Sequence, residues 1–117
     1  MIVSAFAGVC YLRRNKRFVT REAGNLTLFA STLKALGHPL RFSATCHLLD
    51  GERSVGELLE LLNASQPNFS QQMVSLKRAG IVETRRDAGR VFYQICRSDA
   101  GTLASKICRP WRGWFGK

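Results

Sequence analysis

The side chains with the most specific chemistry lie between Ser65 and Lys77: Ser65, Gln66, Asn68, Ser70, Gln71, Gln72, Ser75 and Lys77. Amides and hydroxyls at this density suit the reading of base edges, since glutamine and asparagine pair bidentately with adenine in a major groove. Their spacing fits one face of a helix, because Phe69, Met73, Leu76 and Ala79 recur at i, i+4, i+7 and i+10 as the opposing apolar stripe. Just downstream, Arg85, Arg86 and Arg90 offer guanidinium groups suited to phosphates. From Lys77 to Arg97 six basic residues stand against two acidic ones. The chain as a whole has 18 Lys and Arg against 8 Asp and Glu in 117 residues, a net charge of +10. That balance calls for a polyanionic partner, and a polar helix flanked by arginines calls for double-stranded DNA.

Other chemistries find less to work with. The chain lacks a Gly-rich phosphate loop, a GxSxG elbow and any paired His and carboxylate spacing, so no catalytic residue is assigned and an enzyme is not expected. Its four cysteines, Cys10, Cys46, Cys96 and Cys108, are widely spaced with no CxxC pair, which excludes a zinc ribbon or a thioredoxin-like motif. In an intracellular chain a structural disulfide is not expected either. A hairpin after a polar helix argues for duplex DNA, whereas an RNA-reading fold would show aromatic stacking residues on a sheet. A non-specific nucleic-acid-binding module is the rival that charge alone would also serve.

The elements that must position these residues are mostly helical. Leu26, Phe29, Ala30, Leu33 and Leu36 predict a helix from about Asn25 to Leu36, closed by Gly37. Pro39 suits the first turn of a second helix reaching Asp50, with Phe42, Cys46 and Leu49 on one face. Ser54 and Glu57 form a capping box that opens a third helix carrying Leu58, Leu59, Leu61 and Leu62. After the short Asn63-Ala64 connection comes the polar helix, capped by Ser65 and stopped at Gly80. Strands are predicted at Ile81 to Arg86 and Arg90 to Ile95 around the turn Asp87-Ala88-Gly89. Ser98 caps a last helix to about Arg109, with Pro110 as its stop. Two short helices followed by a basic hairpin make a winged helix-turn-helix, a mostly α fold with a small β-hairpin (α+β).

The motifs LKALGHPLRF, SVGELLELL, SQPNFSQQMVSLKRAGIVETRR and RVFYQI, in this order and spacing, resemble the ArsR/SmtB family of winged-helix repressors over roughly residues 25–110. The resemblance implies a homodimer built on the first and last helices, which represses an operon until an inducer acts. It also implies that Ser65–Ala79 reads DNA, that the wing tip is Arg86–Arg90, and that His38, in the family's HPxR stretch, is a scaffold residue. Metal-sensing members place thiols at the start of the third helix or Asp and His pairs on the last. Here the third helix opens Ser54-Val55-Gly56-Glu57, the last offers Asp99 but no histidine, and only His38 and His47 exist, so no metal site and no cofactor are expected.

A BigR- and HlyU-like branch of the family, which answers to sulfide and redox stress, instead uses one thiol in the second helix and one in the last. Cys46 matches the first position, and Cys108 lies one turn before the second, where Arg112 stands. A four-residue shift displaces the thiol by about 6 Å along the helix axis, against the ~4.4–6.8 Å of Cα separation that a disulfide tolerates. Cys46 and Cys108 are thus the redox-sensing candidates, with arsenite capture by Cys46, Cys96 and Cys108 as the competing version. Arg41, Arg97 and Arg109 would lower thiol pKa and favour thiolate reactivity.

Length and composition bound the rest. With 45% apolar residues the chain can bury one modest core, which small helical domains often complete by dimerising. No apolar run reaches the ~18 residues of a membrane span, and a cytoplasmic location is expected. The organisation read from the chain is a basic N-terminal arm or extra helix at 1–22, a DNA-binding and dimerisation domain at 23–110, and a basic aromatic tail at 111–117. The operator would be pseudo-palindromic, mirroring the dimer axis.

Overall fold

His38 begins the helix that organises the molecule: it is extended at φ −122° and its Nδ1 accepts the Leu40 amide at 3.1 Å, with Pro39 in the first turn. The computed structural model describes residues 21–115. Among them α1 (Arg21–Leu36) leads into α2 (Pro39–His47), the two-residue strand β1 (Arg53–Ser54), α3 (Val55–Leu62) and α4 (Gln66–Arg78). The hairpin strands β2 (Val82–Asp87) and β3 (Arg90–Ile95) follow, and α5 (Asp99–Phe115) closes the chain. The arm predicted at residues 1–22 lies, but for its last two positions, outside the described residues, as does Cys10.

Local chemistry accounts for most boundaries. In α3 the Ser54 hydroxyl accepts from the Glu57 amide (3.2 Å) while the Glu57 carboxylate accepts from the Ser54 amide (3.0 Å), so two orphan donors are satisfied reciprocally. Asn63 ends α3 in the left-handed region at φ 49°, and Ser65 caps α4 by accepting from Asn68 at 3.4 Å. Ala88 and Gly89 both have positive φ, 52° and 79°, the signature of a two-residue turn whose twist matches the flanking strands. The register pairs Asp87 with Arg90 and Thr84 with Tyr93.

Four boundaries differ from the sequence expectation. α1 starts at Arg21, a turn before the apolar periodicity begins. α2 stops at His47, and Leu48 to Gly51 form a turn in which Gly51 takes φ 137°. β1 was invisible because two residues show no alternation; pairing with β3 defines it, Arg53 opposite Tyr93 and Ser54 opposite Phe92, and gives a three-stranded sheet in the order β1-β3-β2. α5 runs through Pro110 to Phe115. An interior proline loses one helical bond, but the turn beyond it is held from outside: Trp111 packs edge-on against Phe42 with ring centroids 5.8 Å apart, and Arg112 pairs with Asp50 at 3.1 Å.

The core forms where α4, α3 and the sheet meet α2 and α5. Phe69, Met73 and Leu76 of α4 are buried with Leu58, Ile81, Val82, Ala44, Ala104 and Cys108, and the Phe69 ring meets Tyr93 edge-on at 5.7 Å. Gly101 sits where α5 crosses the end of β3, and a Cβ there would overlap the Cys96 carbonyl oxygen. Gly101→Ala is therefore expected to destabilise the fold by about 1–3 kcal/mol, read as a lowered denaturant midpoint. A midpoint equal to wild type would contradict this packing.

Candidate nucleic-acid interface and thiol pair

The outward face of α4 follows from what its inward face buries. At about 100° per residue, Phe69, Met73 and Leu76 share one direction, and Gln71, Val74 and Arg78 lie opposite; all three are exposed. Gln66, Asn68, Ser70 and Lys77 are also exposed, and Ser65 stands at the open end as the cap. Gln72 and Ser75 are half-buried on the flank. Gln72 is committed within the protein: its Oε1 accepts from Arg41 Nη1 at 3.2 Å and its amide donates to Asn68 at 3.4 Å, tying α4 to α2. Arg41 Nε is buried without a partner, so this guanidinium is held by few bonds. Lys77 and Arg78 occupy the last turn of α4, where the helix dipole favours cations.

Beside this face, α4 and the wing enclose a cleft of about 550 Å³, lined by Gln66, Ser70 and Lys77 from the helix and Thr84 and Arg86 from β2. Strand alternation sends Arg85 the other way. Its Nε donates to Glu52 at 2.8 Å, a second nitrogen completes a bidentate pair with the same carboxylate, and the guanidinium lies 4.6 Å over the Phe92 ring. The Arg85 guanidinium beside Glu52 holds that carboxyl below its usual range. Arg90 stacks on the same ring at 5.2 Å. Of the three wing arginines, Arg86 faces the cleft, whereas Arg85 anchors the wing to the turn before β1.

The two helices that bracket the core bring Cys46 and Cys108 together. Both are free and buried, and close enough that each thiol shifts the titration of the other. The one-turn offset along α5 is absorbed by the approach of α2 to α5, with Arg112, one turn on, reaching the Cys46 carbonyl (3.5 Å) and Asp50. The pKa expectation is reversed. Burial raises both thiols; the Cys108 hydrogen bond and the Arg112 charge partly offset this for Cys46, while Cys108, 0% exposed, is pushed up to about 12. Arg112, and not Arg41, Arg97 or Arg109, is the cation that acts on Cys46. Cys96, which the arsenite version would need as a third thiolate, is buried just past the end of β3.

Sequence reasoning passed over Val74 and Arg78 on the outward face of α4. The signal was available: the periodicity that identified the buried stripe also marks its diametric opposite. The Arg41–Gln72 link carried no sequence signal, since it joins residues 31 positions apart. Among the described residues no group of three or more His, Cys, Asp or Glu is placed to hold a metal ion, and no helix is long and apolar enough to cross a membrane.

Known proteins share this fold. A family described as bacterial regulatory protein, arsR family, matches residues 38–84. The biofilm growth-associated repressor of Agrobacterium fabrum is 47% identical over 88 residues, covering 72% of this chain and 75% of that protein. Its namesake from Xylella fastidiosa is 42% identical over 78 residues, covering 67% and 68%. In structure, HlyU from Vibrio cholerae superposes with a TM-score of 0.71 at 33% identity, covering 80% of this chain and 97% of that one. The transcriptional repressor BigR from Xylella fastidiosa gives 0.65 at 38% identity, covering 74% and 84%. A homodimeric winged helix-turn-helix DNA-binding domain from Mycobacterium bovis gives 0.64 at 28%, covering 83% and 91%. The similar proteins are transcriptional regulators, not enzymes.

Proposed function

The chain belongs to the ArsR family of bacterial transcriptional regulators, and from that membership we propose that it is a homodimeric, cytoplasmic repressor that reads a pseudo-palindromic operator through α4 and lets go when Cys46 and Cys108 are oxidised or bridged by persulfide sulfur. The observation that carries the DNA-reading part is the outward face of α4, where Ser70, Gln71 and Arg78 stand free of the core beside a cleft that ends at Arg86. Gln71, Ser70 and Gln66 are assigned to base edges, with Asn68 and Ser65 at the entry of the helix. Lys77, Arg86 and Arg90 are assigned to phosphates. Gln72, Ser75 and Arg85 support the site by holding α4 and the wing in place.

Support for the homodimer comes from α1. Leu26, Phe29 and Leu33 recur at i, i+3 and i+7 and are 71%, 45% and 44% exposed in the protomer, an apolar stripe that a second copy would cover. Support for the thiol switch comes from α2, which brings Cys46 near Cys108 of α5 and holds Arg41 against Gln72 of α4. One rigid helix thus touches both the thiol pair and the reading helix.

The test is binding of the reduced, full-length protein to duplexes selected from a random library, compared with random duplex. Gln71→Ala or Ser70→Ala is expected to weaken the selected duplex by about 1–3 kcal/mol and leave random duplex nearly unchanged. Arg86→Ala is expected to weaken both alike and to flatten the salt dependence by about one unit of slope. Identical behaviour of the two kinds of variant on selected and random duplexes would replace base reading with the non-specific alternative.

A further inference from the structure

Val74 interrupts an outward face otherwise made of Ser70, Gln71, Lys77 and Arg78. It is 45% exposed, lies opposite Phe69, Met73 and Leu76, and stands mid-helix. A lone exposed valine is ordinary on a protein surface; position distinguishes this one. Ser70 and Gln71 lie one turn before it and Lys77 and Arg78 one turn after, all exposed, so any partner that these side chains grip must cover Val74 too. Its side chain is two carbons long and can touch only what lies at the point of closest approach. Most of what a major groove presents to such a residue is polar: N7, O6 and O4 acceptors and the exocyclic amino donors, none of which valine can satisfy. The apolar group there is the 5-methyl of thymine.

We propose that Val74 is a specificity-determining residue that packs on a thymine 5-methyl group, a reading that rests on α4 being the DNA-reading helix. The adjacent Gln71 amide, longer and polar, is left to pair with a neighbouring base, so the two side chains together favour an A·T-containing step at the centre of each half-site. Covering one methyl group contributes about a fourfold change in affinity. No phosphate is involved, so the salt dependence of binding stays as it is.

The experiment selects duplexes with reduced wild-type protein and then replaces each thymine by deoxyuridine, which removes the 5-methyl group and leaves every hydrogen-bonding atom in place. At one symmetric position the substitution is expected to weaken wild type about fourfold per half-site, with an unchanged salt slope. Val74→Ala, which keeps a good helix former at an exposed site, is expected to bind the thymine duplex as weakly as wild type binds the uracil one and to ignore the substitution. If specific duplexes are selected but no thymine-to-uracil change matters, or if Val74→Ala remains equally sensitive to it, the role of Val74 is refuted while DNA reading by α4 stands. If no duplex is selected over random sequence, the underlying reading fails and this inference fails with it.

Discussion

Tetrathionate treatment of the reduced protein is expected to weaken its hold on a selected duplex by about 5–150-fold, the range of a 1–3 kcal/mol coupling between sites, and Cys46→Ser is expected to abolish that response. The chemistry is a two-electron oxidation in which the Cys46 and Cys108 thiols release two protons and two electrons to the oxidant and join as a disulfide. Cys46 is expected to be the attacking sulfur, because Arg112 and Cys108 favour its thiolate, whereas Cys108 carries the further penalty of facing that charge. Burial holds both above the ordinary thiol value of 9.0, so the rate of the first step should climb with pH into and beyond that region. Proximity compensates for low thiolate content, since the partner thiol is near enough to act on Cys46. On the proposed switch, pulling the sulfurs to bonding distance would draw α2 toward α5, and the Arg41–Gln72 bond would carry the movement to α4. Half-sites one DNA turn apart fix the reading helices at ~34–36 Å, so a shift of a few ångströms suffices for release. Mass spectrometry of the treated protein should find a Cys46–Cys108 disulfide, or a polysulfide bridge after persulfide treatment, and Cys108→Ser should also stay bound. A Cys46→Ser protein that still releases DNA on oxidation would move the switch elsewhere; a response to a metal ion but to no thiol reagent would replace it.

Charging the α1 stripe is expected to have the larger effect still. Phe29→Glu combined with Leu33→Glu leaves each protomer folded, since both side chains are half-exposed before assembly, but puts four carboxylates into a two-fold apolar seam. The product should sediment as a monomer at micromolar concentration where wild type is a dimer. A monomer reads one half-site, so affinity for the selected duplex should fall toward its non-specific level, a loss of about 10³-fold or more. Circular dichroism equal to wild type separates lost assembly from lost folding. A wild-type protein that is itself monomeric at micromolar concentration, with a footprint of a single half-site, would sink the dimer and the palindrome together.

Helices, wing and family were legible along the chain. Their causes are local: the Phe69–Met73–Leu76 period, the Ser54–Glu57 capping box, the Ser65 cap and the Ala88-Gly89 turn each act within a few residues, so each can be read along the chain. Which polar groups of α4 and the wing remain available was settled by folding, because Gln72 is claimed by Arg41 and Arg85 by Glu52, partners 31 and 33 residues away. It also decided that α5 continues past Pro110: local propensity says stop, and Phe42 and Asp50 hold the turn that follows. The thiol pair shows the division most clearly. Two cysteines on the second and last helices were legible, but their meeting depended on how α2 crosses α5, and the direction of their pKa shift depended on burial. Charge counts along a chain register neighbouring arginines; they do not register the water that folding removes, and at Cys46 the lost water outweighs the Arg112 charge.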